Sequence, residues 1–226
     1  MAVKRPKRVS DKWIQRHYDC YEVGFAKTIL SIHYPEEWKF IKKALSMFTL
    51  YESDIRRDGG NKTTIAKRLE IPFKLNGWKE RKFYMEHHLI DEETKKTLGV
   101  TKSLSHKIDA VKSKIALEIE WNNKDTFFAR DLSELNRLHS ARVIDVGIII
   151  TRSHTLRDLF ADLDPYPGKK GGTKEVDNKF GESTTHTRSL KRLLDNGTAG
   201  GCPVLAIGIT DALFESNGFI DTYKKA

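Results

Sequence analysis

Residues 108–110 (IDA) and, after a short Lys/Ser turn, residues 115–121 (IALEIEW) decide the fold of this chain. The second run alternates with period two, which predicts a β-hairpin over residues 106–121. Its isoleucine, leucine and tryptophan side chains then share one face, and Glu118 and Glu120 share the other face with an alanine. The two glutamates are expected to lie roughly 7 Å apart at Cα, since each strand residue advances the chain by about 3.3 Å.

An aspartate on the partner strand can join this pair of glutamates. Asp109 interrupts an otherwise apolar triplet and can lean into the same space. Two glutamates at alternate strand positions are usually only the solvent-facing side of a sheet, but the strong apolar face fixes the register here and fixes the acidic face with it. Oxygen-rich sites suit Mg²⁺, and the chain lacks the His/Cys ligand spacing that is typical of zinc sites. The sequence therefore predicts a magnesium site on the hairpin.

The composition indicates a nucleic-acid partner. The 226 residues include 40 Lys and Arg against 31 Asp and Glu, a formal net charge of +9 that favours phosphate-rich partners. With 38% hydrophobic residues, the chain is long enough for one substantial α/β core. No apolar run approaches the roughly 20 residues of a membrane span and no apolar signal segment begins the chain, so no membrane partner is expected. Cys20 and Cys202 lie outside any CxxC motif, which predicts a reducing, cytoplasmic location.

Periodicity along the rest of the chain predicts helices around buried strands. Nearly unbroken apolar runs indicate strands over 143–151 and 204–210. Residues 86–105 are polar and poorly periodic, and they are expected to form a loop. The expected fold class is α/β, with a mixed central β-sheet flanked by helices. Helices are predicted over 35–48, over 63–75 with a break at Pro72, and over 127–142, 155–163 and 183–196.

The acidic hairpin resembles the core of a known nuclease superfamily. Asp109, eight intervening residues and then Glu118-Ile119-Glu120 are similar to the Asp…Glu-x-(Lys/Glu/Gln) motif of the PD-(D/E)XK nucleases. Over roughly residues 20–210 the chain resembles the BglII, BstYI and BamHI group of type II restriction endonucleases. The matching segments are FAKTIL at 25–30 with Pro35 and Trp38, GWKE at 77–80, ID at 108–109, EIEWN at 118–122 and DVGIIITR at 145–152.

The resemblance implies a restriction-endonuclease-like core that spans residues 1–226 as a single domain, with a basic N-terminal tail at residues 1–12. Most members of the superfamily carry lysine where this chain carries Glu120, whereas the BglII and BamHI group carries glutamine or glutamate there. The departure therefore points into this group. It leaves open whether Glu120 is a general base, a second-metal ligand or an orienting group.

The resemblance also implies an activity. A type II site-specific deoxyribonuclease of this group would use Mg²⁺ and hydrolyse both strands of a short palindromic double-stranded DNA site as a homodimer, leaving 5′-phosphate ends. It would serve a restriction–modification system in a prokaryotic cytoplasm. A nucleotide cofactor is not expected, because residues 168–174 (GKKGGTK) lack the spacing of a phosphate-binding loop. The predicted helix at 127–142 is the candidate for part of the dimer contact, because its apolar stripe exceeds what one sheet face requires. A structure-specific or repair nuclease on the same core, or a catalytically inactive DNA-binding protein, is the alternative.

The resemblance assigns roles to five residues near the hairpin. Asp109 and Glu118 are expected to ligate Mg²⁺ together with the carbonyl oxygen of Ile119. Glu120 is expected to orient or deprotonate the attacking water. Glu80 matches the position of a helical acid that completes the site in BamHI-like members, and the competing interpretation is a solvent-exposed charge.

Two further segments and one arginine are expected to bind DNA. Asn122, Asn123 and Lys124 lie between the acidic strand and the next helix, where amide and ammonium groups can pair with base edges. The segment Ser183-Thr184-Thr185-His186 precedes a helix and can bind phosphate through hydroxyl and backbone N–H groups. Both segments are also compatible with ordinary helix caps. Arg152 ends the matching apolar strand and is the last of the expected DNA contacts.

Overall fold

The computed structural model describes residues 9–58, 63–103 and 106–216. Residues 1–8, most of the predicted basic tail, lie outside the described residues, and Ser10 caps the first helix. The helices are α1 (Asp11–His17), α2 (Ala26–His33), α3 (Pro35–Ser46), α4 (Glu52–Ile55), α5 (Thr64–Leu75), α6 (Thr126–Ser140), α7 (Leu156–Asp162) and α8 (Thr187–Asp195). The strands are β1 (Tyr18–Val23), β2 (Leu50–Tyr51), β3 (Lys79–Phe83), β4 (Glu86–Ile90), β5 (Thr97–Lys102), β6 (His106–Lys112), β7 (Ile115–Glu120), β8 (Val146–Arg152), β9 (Tyr166–Pro167), β10 (Thr173–Lys174), β11 (Val204–Ile209) and β12 (Phe214–Glu215).

A six-stranded sheet forms the centre of the fold, in the order β1-β11-β8-β7-β6-β3. Strands β7, β8 and β11 run parallel to one another, and β1 and β6 run antiparallel to them. Strands β8 and β11 are buried along their whole length, as their apolar runs predict, because helices cover both faces of the sheet. The prediction of a mixed sheet flanked by helices is confirmed.

The sheet separates two hydrophobic cores. The first contains Ile115, Leu117 and Ile119 of β7 and lies beneath α2, α3, α5 and α7. The second contains Ala116 and lies beneath α6 and α8. Successive side chains of β7 therefore point alternately into the first and the second core. The positions of Glu118 and Glu120 belong to the α6 side, and both side chains are buried there.

The apolar stripe of α6 is used inside the chain. Phe128, Leu132, Leu135 and Leu138 are all at most 1% exposed and belong to the second core. The helix packs so closely on β8 that a Cβ built at Gly147 would lie 2.7 Å from Cδ1 of Leu135. The sheet of the same chain covers the whole stripe, so the stripe gives no support to the expectation that this helix forms part of a dimer contact.

Other parts of the fold differ from the sequence-based expectations. The predicted loop at 86–105 contains the two strands β4 and β5, which form a separate antiparallel hairpin. Strands β1 and β3 and helix α2 were not predicted at all. Helix α5 continues through Pro72 to Leu75, and α8 begins at Thr187, four residues later than expected. No helix in the described ranges is long and apolar enough to cross a membrane.

Candidate metal centre

The β6–β7 hairpin opens at its acidic end. Regular pairing of the two strands ends at Ala110 and Leu117, and beyond this pair carboxylates take part in the hydrogen bonds between them. The Asp109 backbone N–H donates to Glu118 Oε2 (3.1 Å), and the Ile119 N–H donates to Asp109 Oδ2 (3.0 Å). The structure therefore brings Asp109 and Glu118 together between parted strands, as the sequence predicts.

The two glutamates of β7 are buried. Glu118 is 2% exposed and Glu120 is 5% exposed. Burial raises the pKa of the Glu118 carboxyl to about 8. Burial, followed by repulsion from Asp131, raises the pKa of Glu120. The face of β7 that carries the two glutamates is therefore buried and does not face solvent. A bound cation would stabilise the ionised form of these carboxylates.

Glu120 is held by groups that follow it in the chain. The side-chain amide of Asn123 donates to Glu120 Oε2, and Nη2 of Arg130 lies 3.7 Å from Glu120 Oε1. The Thr185 hydroxyl donates to the backbone carbonyl of Glu120 (3.2 Å). These contacts fix both the backbone and the carboxylate of Glu120 at the carboxyl end of β7.

Two members of the acidic cluster were missed by the sequence reasoning. His106 begins β6, and its Nε2 lies 3.3 Å from Asp131 Oδ1 and 3.6 Å from Glu118 Oε1. The neighbouring carboxylates of Asp131 and then of Glu118 raise the pKa of His106 to about 9. Asp131 is fully buried on α6. A signal for Asp131 was present, because it interrupts the apolar stripe between Phe128 and Leu132, where a charge is uncommon.

Glu80 lies on the exposed strand β3 and not on a helix, so that part of its assignment is wrong. Its Oε2 is 2.9 Å from Nζ of Lys107. This contact is the largest cause that raises the pKa of Lys107, and Asp109 and Glu70 contribute as well, so the three acids share one neighbourhood. Glu70 is the buried acid on the helix here: it lies on α5 and pairs with Lys74 at 2.9 Å. Sequence reasoning missed Glu70 as it missed the acid on α6.

The donor set at the parted strands fits Mg²⁺. Asp109 and Glu118 supply carboxylate oxygens, and Glu118 Oε2 lies at the junction, 3.1 Å from the backbone nitrogen of Asp109. The Ile119 N–H points toward Asp109, and in an extended strand the carbonyl of the same residue points to the same side. The proposed metal ligands are therefore all oxygen atoms, which Mg²⁺ prefers. Such a centre can polarise a phosphodiester and activate water.

The two segments predicted to bind DNA lie side by side next to Glu120. We refer to residues 122–125 and 183–185 as the loop pair. Lys124 and Ser183 are its exposed members. It adjoins the carboxyl end of β7, so a polyanion lying on it would lie next to Glu120. Two backbone hydrogen bonds join the loops, from Thr185 N–H to the Asn123 carbonyl (2.8 Å) and from Asp125 N–H to the Ser183 carbonyl (3.0 Å).

Comparison with known proteins agrees with this geometry. The model of a family described as restriction endonuclease BglII/BglIII matches residues 18–209. The chain belongs to this restriction endonuclease family. It is therefore a type II restriction endonuclease, a site-specific DNA nuclease and a hydrolase, and the resemblance seen in the sequence is confirmed. The match begins at the first residue of β1 and ends at the last residue of β11, so it coincides with the six-stranded sheet. No curated protein sequence matches the chain.

Three of the residues predicted to contact DNA are buried inside the endonuclease. Arg152 is 2% exposed, and its Nη2 donates to two backbone carbonyls and to Thr184 Oγ1 (2.9 Å). Thr185 is fully buried beneath Glu120, and His186, 3% exposed, caps α8 with its ring. Burial favours a structural role for these three side chains, which hold the loop pair in place, over the predicted direct contact with DNA.

The other five residues of the predicted DNA interface remain accessible. They are exposed or half-buried, and one of them, Asn122, has a left-handed backbone (φ 58°) that turns the chain out of β7. The endonuclease therefore presents a smaller candidate interface than the sequence predicts. Its members are Asn122, Asn123, Lys124, Ser183 and Thr184.

Proposed function

We propose that this endonuclease uses Mg²⁺ to hydrolyse both strands of a short palindromic DNA site, acts as a homodimer, and leaves 5′-phosphate and 3′-hydroxyl ends. We further propose that it serves a restriction–modification system in a prokaryotic cytoplasm. The junction of Asp109 and Glu118 between parted strands carries the proposal, because it supplies an oxygen-lined site close to the loop pair. The strands of the six-stranded sheet come from the whole stretch between Tyr18 and Ile209, which supports a single endonuclease domain over residues 1–226.

The catalytic roles follow from where the acids lie. Asp109, Glu118 and the Ile119 carbonyl would hold Mg²⁺, which when bound polarises the scissile phosphate and lowers the pKa of water. Glu120 would orient the attacking water or accept its proton, with the carboxylate fixed by the amide of Asn123. Attack on phosphorus breaks the bond to the 3′ oxygen, which takes up a proton from solvent, so the phosphate stays on the 5′ end. Glu80, held by a lysine, would complete the acidic set.

DNA would lie on the loop pair. Lys124 and Ser183 are exposed there and would contact phosphates, and Asn122 and Asn123 would reach base edges. The net charge of +9 supports this polyanionic partner. The buried Arg152 would act indirectly, by holding the second loop through backbone carbonyls.

A homodimer is proposed because a two-fold symmetric DNA site is most simply matched by a two-fold symmetric protein. Sedimentation equilibrium at micromolar concentration is expected to give twice the mass of the chain. A protein that stays monomeric both alone and on a palindromic duplex would contradict this part of the proposal.

A nucleotide cofactor is not part of the proposal. The glycine-rich segment at 168–172 forms a tight turn between β9 and β10, closed by a hydrogen bond from Gly168 N–H to the Gly172 carbonyl (3.0 Å). This turn precedes a strand and not the N-terminus of a helix, where phosphate-binding loops are found. Cleavage is expected to proceed at the same rate with and without added ATP.

A metal-titrated digest of plasmid DNA tests the proposal. Discrete fragments that require Mg²⁺ are expected, and sequencing of their ends should give one palindromic site with 5′-phosphates. Nicks confined to unusual DNA structures would indicate a structure-specific or repair nuclease. Binding without cleavage at any metal concentration would indicate an inactive DNA-binding protein.

A further inference from the structure

A second cluster of ligand atoms lies next to the proposed magnesium site. His106 of β6, Glu118 of β7 and Asp131 of α6 each place one ligand atom within 4.8 Å of the others. The Nε2 atom of His106 is 3.3 Å from the Asp131 carboxylate and 3.6 Å from that of Glu118. Ligands around one metal ion with bonds of about 2.1 Å lie about 3 to 4.2 Å apart, so this spacing needs little adjustment.

Two atoms of this cluster are orphaned. Glu118 Oε1 and Asp131 Oδ2 are buried and have no hydrogen-bond partner among the described residues. Asp131 is fully buried and Glu118 is 2% exposed, so solvent does not reach these oxygens. A buried carboxylate oxygen without a donor is unfavourable, and such groups call for an ion or water. Both orphaned atoms belong to residues that face the same imidazole.

The charges also favour a cation here. Glu118, Glu120 and Asp131 are three buried carboxylates. Asp131 and Glu118 lie close enough to Glu120 to raise its pKa by repulsion. In the described part of the chain, the permanent cation that contacts them is Arg130, whose Nη2 is 3.0 Å from Asp131 and 3.7 Å from Glu120. Its side chain is 47% exposed, so a bound cation can displace it toward solvent, where the guanidinium is hydrated. Arg130 and a protonated His106 supply two positive charges against the three carboxylates, and a divalent ion in place of the imidazole proton would supply the third.

We propose that His106, Glu118 and Asp131 form a second divalent-cation site, which selects a transition metal such as Mn²⁺, Co²⁺ or Zn²⁺ over Mg²⁺. The imidazole nitrogen is the basis of the selection, because Mg²⁺ prefers oxygen ligands throughout whereas transition metals accept nitrogen. The site shares Glu118 with the proposed magnesium site, since Oε2 faces the Asp109 N–H and Oε1 faces the imidazole. Its existence does not depend on nuclease activity.

Metal binding without DNA tests the proposal. Mn²⁺ is added to the full chain in excess Mg²⁺, and pulsed electron paramagnetic resonance records whether a nitrogen nucleus is coupled to the bound ion. The unmodified protein is expected to bind Mn²⁺ with histidine nitrogen coupling, and labelling histidine with ¹⁵N should change the coupling pattern without any substitution. His106→Gln should remove the coupling and weaken Mn²⁺ binding at least about tenfold, and Asp131→Asn should weaken it similarly.

Two controls separate this site from the proposed magnesium site. His88→Gln removes another imidazole that pairs with a carboxylate, on the exposed strand β4, and should leave the coupling unchanged. Asp109→Asn should impair the magnesium site and keep the nitrogen-coupled Mn²⁺. Absence of nitrogen coupling in the unmodified protein, or coupling that survives His106→Gln, would overturn the proposal. If Asp131→Asn does not fold, the ¹⁵N labelling and His106→Gln still decide it.

Discussion

Two antiparallel hairpins follow one another in this endonuclease, and they differ in almost every physical respect. In the β6–β7 hairpin every residue of β7 is buried, including two glutamates. In the β4–β5 hairpin every residue of both strands is exposed, including Leu89 and Leu98. The first is part of the six-stranded sheet, and the second forms a two-stranded sheet of its own. The comparison teaches that a strand becomes visible in the sequence when at least one of its faces is buried.

This difference explains which hairpin could be predicted. In β7 the even and odd positions face two separate cores, so the alternation appears as IALEIE in the sequence. In β4 and β5 (EHHLI and TLGVTK) neither face is buried, so no period separates the two sides. An isolated hairpin of this kind is stabilised by its own strand pairing and by contacts with neighbouring groups. Neither of these produces a hydrophobic periodicity in the sequence.

The largest effect is expected for a carboxylate of the buried hairpin. Glu118→Ala should reduce cleavage at least about 10⁴-fold, a loss of the size seen when an essential catalytic residue is removed, while DNA binding stays measurable. Glu86→Ala, a matched change on the exposed hairpin, should leave the rate within about twofold. Single-turnover cleavage of a cognate duplex measures both. Near-normal cleavage by Glu118→Ala would remove the assignment of the catalytic hairpin.

Much of the fold could be predicted because burial leaves a pattern in the sequence, either a period or an unbroken apolar run. The runs that became β8 and β11 are apolar throughout, and α3, α5 and α6 begin and end close to where their caps indicate. Strand β1 was missed because it carries charged and polar residues (YDCYEV) on a partly exposed outer strand of the sheet. Only its pairing with β11, far away in the chain, makes it a strand.

A second, smaller effect on cleavage tests the role of Glu120. Glu120→Lys should lower the single-turnover rate by about 10²- to 10⁴-fold, the range for losing a general base, because it places an ammonium beside Arg130 where a carboxylate is needed. Glu120→Gln separates charge from shape and should lose activity as well. Retention of more than about a tenth of the normal rate at saturating Mg²⁺ would show that Glu120 is not the acid proposed here.

The convergence of the acidic residues was predictable only where they lie close in the sequence. Asp109, Glu118 and Glu120 stand on one hairpin, so their convergence follows from strand geometry. His106 and Asp131 join them because α6 packs on the sheet, and no local sequence pattern predicts this packing. The eight expected DNA contacts were chosen by chemical type, and type does not reveal burial. That is why three of them lie inside the protein.

Stability should also separate the two hairpins. Leu117→Ala removes a fully buried side chain of β7 and should lower the free energy of unfolding by about 2–5 kcal/mol. Leu89→Ala makes the same chemical change on β4, where the side chain is 66% exposed, and should change the free energy by less than about 0.5 kcal/mol. Urea unfolding followed by circular dichroism gives both values. A large loss in Leu89→Ala would mean that β4 packs against something in solution.

The smallest effect is expected when the exposed hairpin is removed altogether. Residues 86–102 can be replaced by Asn-Gly, because the Ser103 N–H already donates to the Met85 carbonyl (2.9 Å), which is the hydrogen bond that closes a two-residue turn. Ser103 keeps its hydrogen bond from Nη1 of Arg137 on α6 (3.0 Å), so the anchoring of the segment is unchanged.

This shortened chain should unfold with a free energy within about 1 kcal/mol of the full chain, because all of the removed strand residues are exposed and the stabilising burial lies in the two cores. Its urea m-value should fall slightly, in proportion to the smaller surface exposed on unfolding. Exchange of Asn-Gly for Ala-Ala is the matched control, since it keeps the length and loses the turn preference. A loss of more than about 2 kcal/mol in the Asn-Gly chain but not in Leu89→Ala would show that the hairpin backbone, rather than its side chains, supports the core.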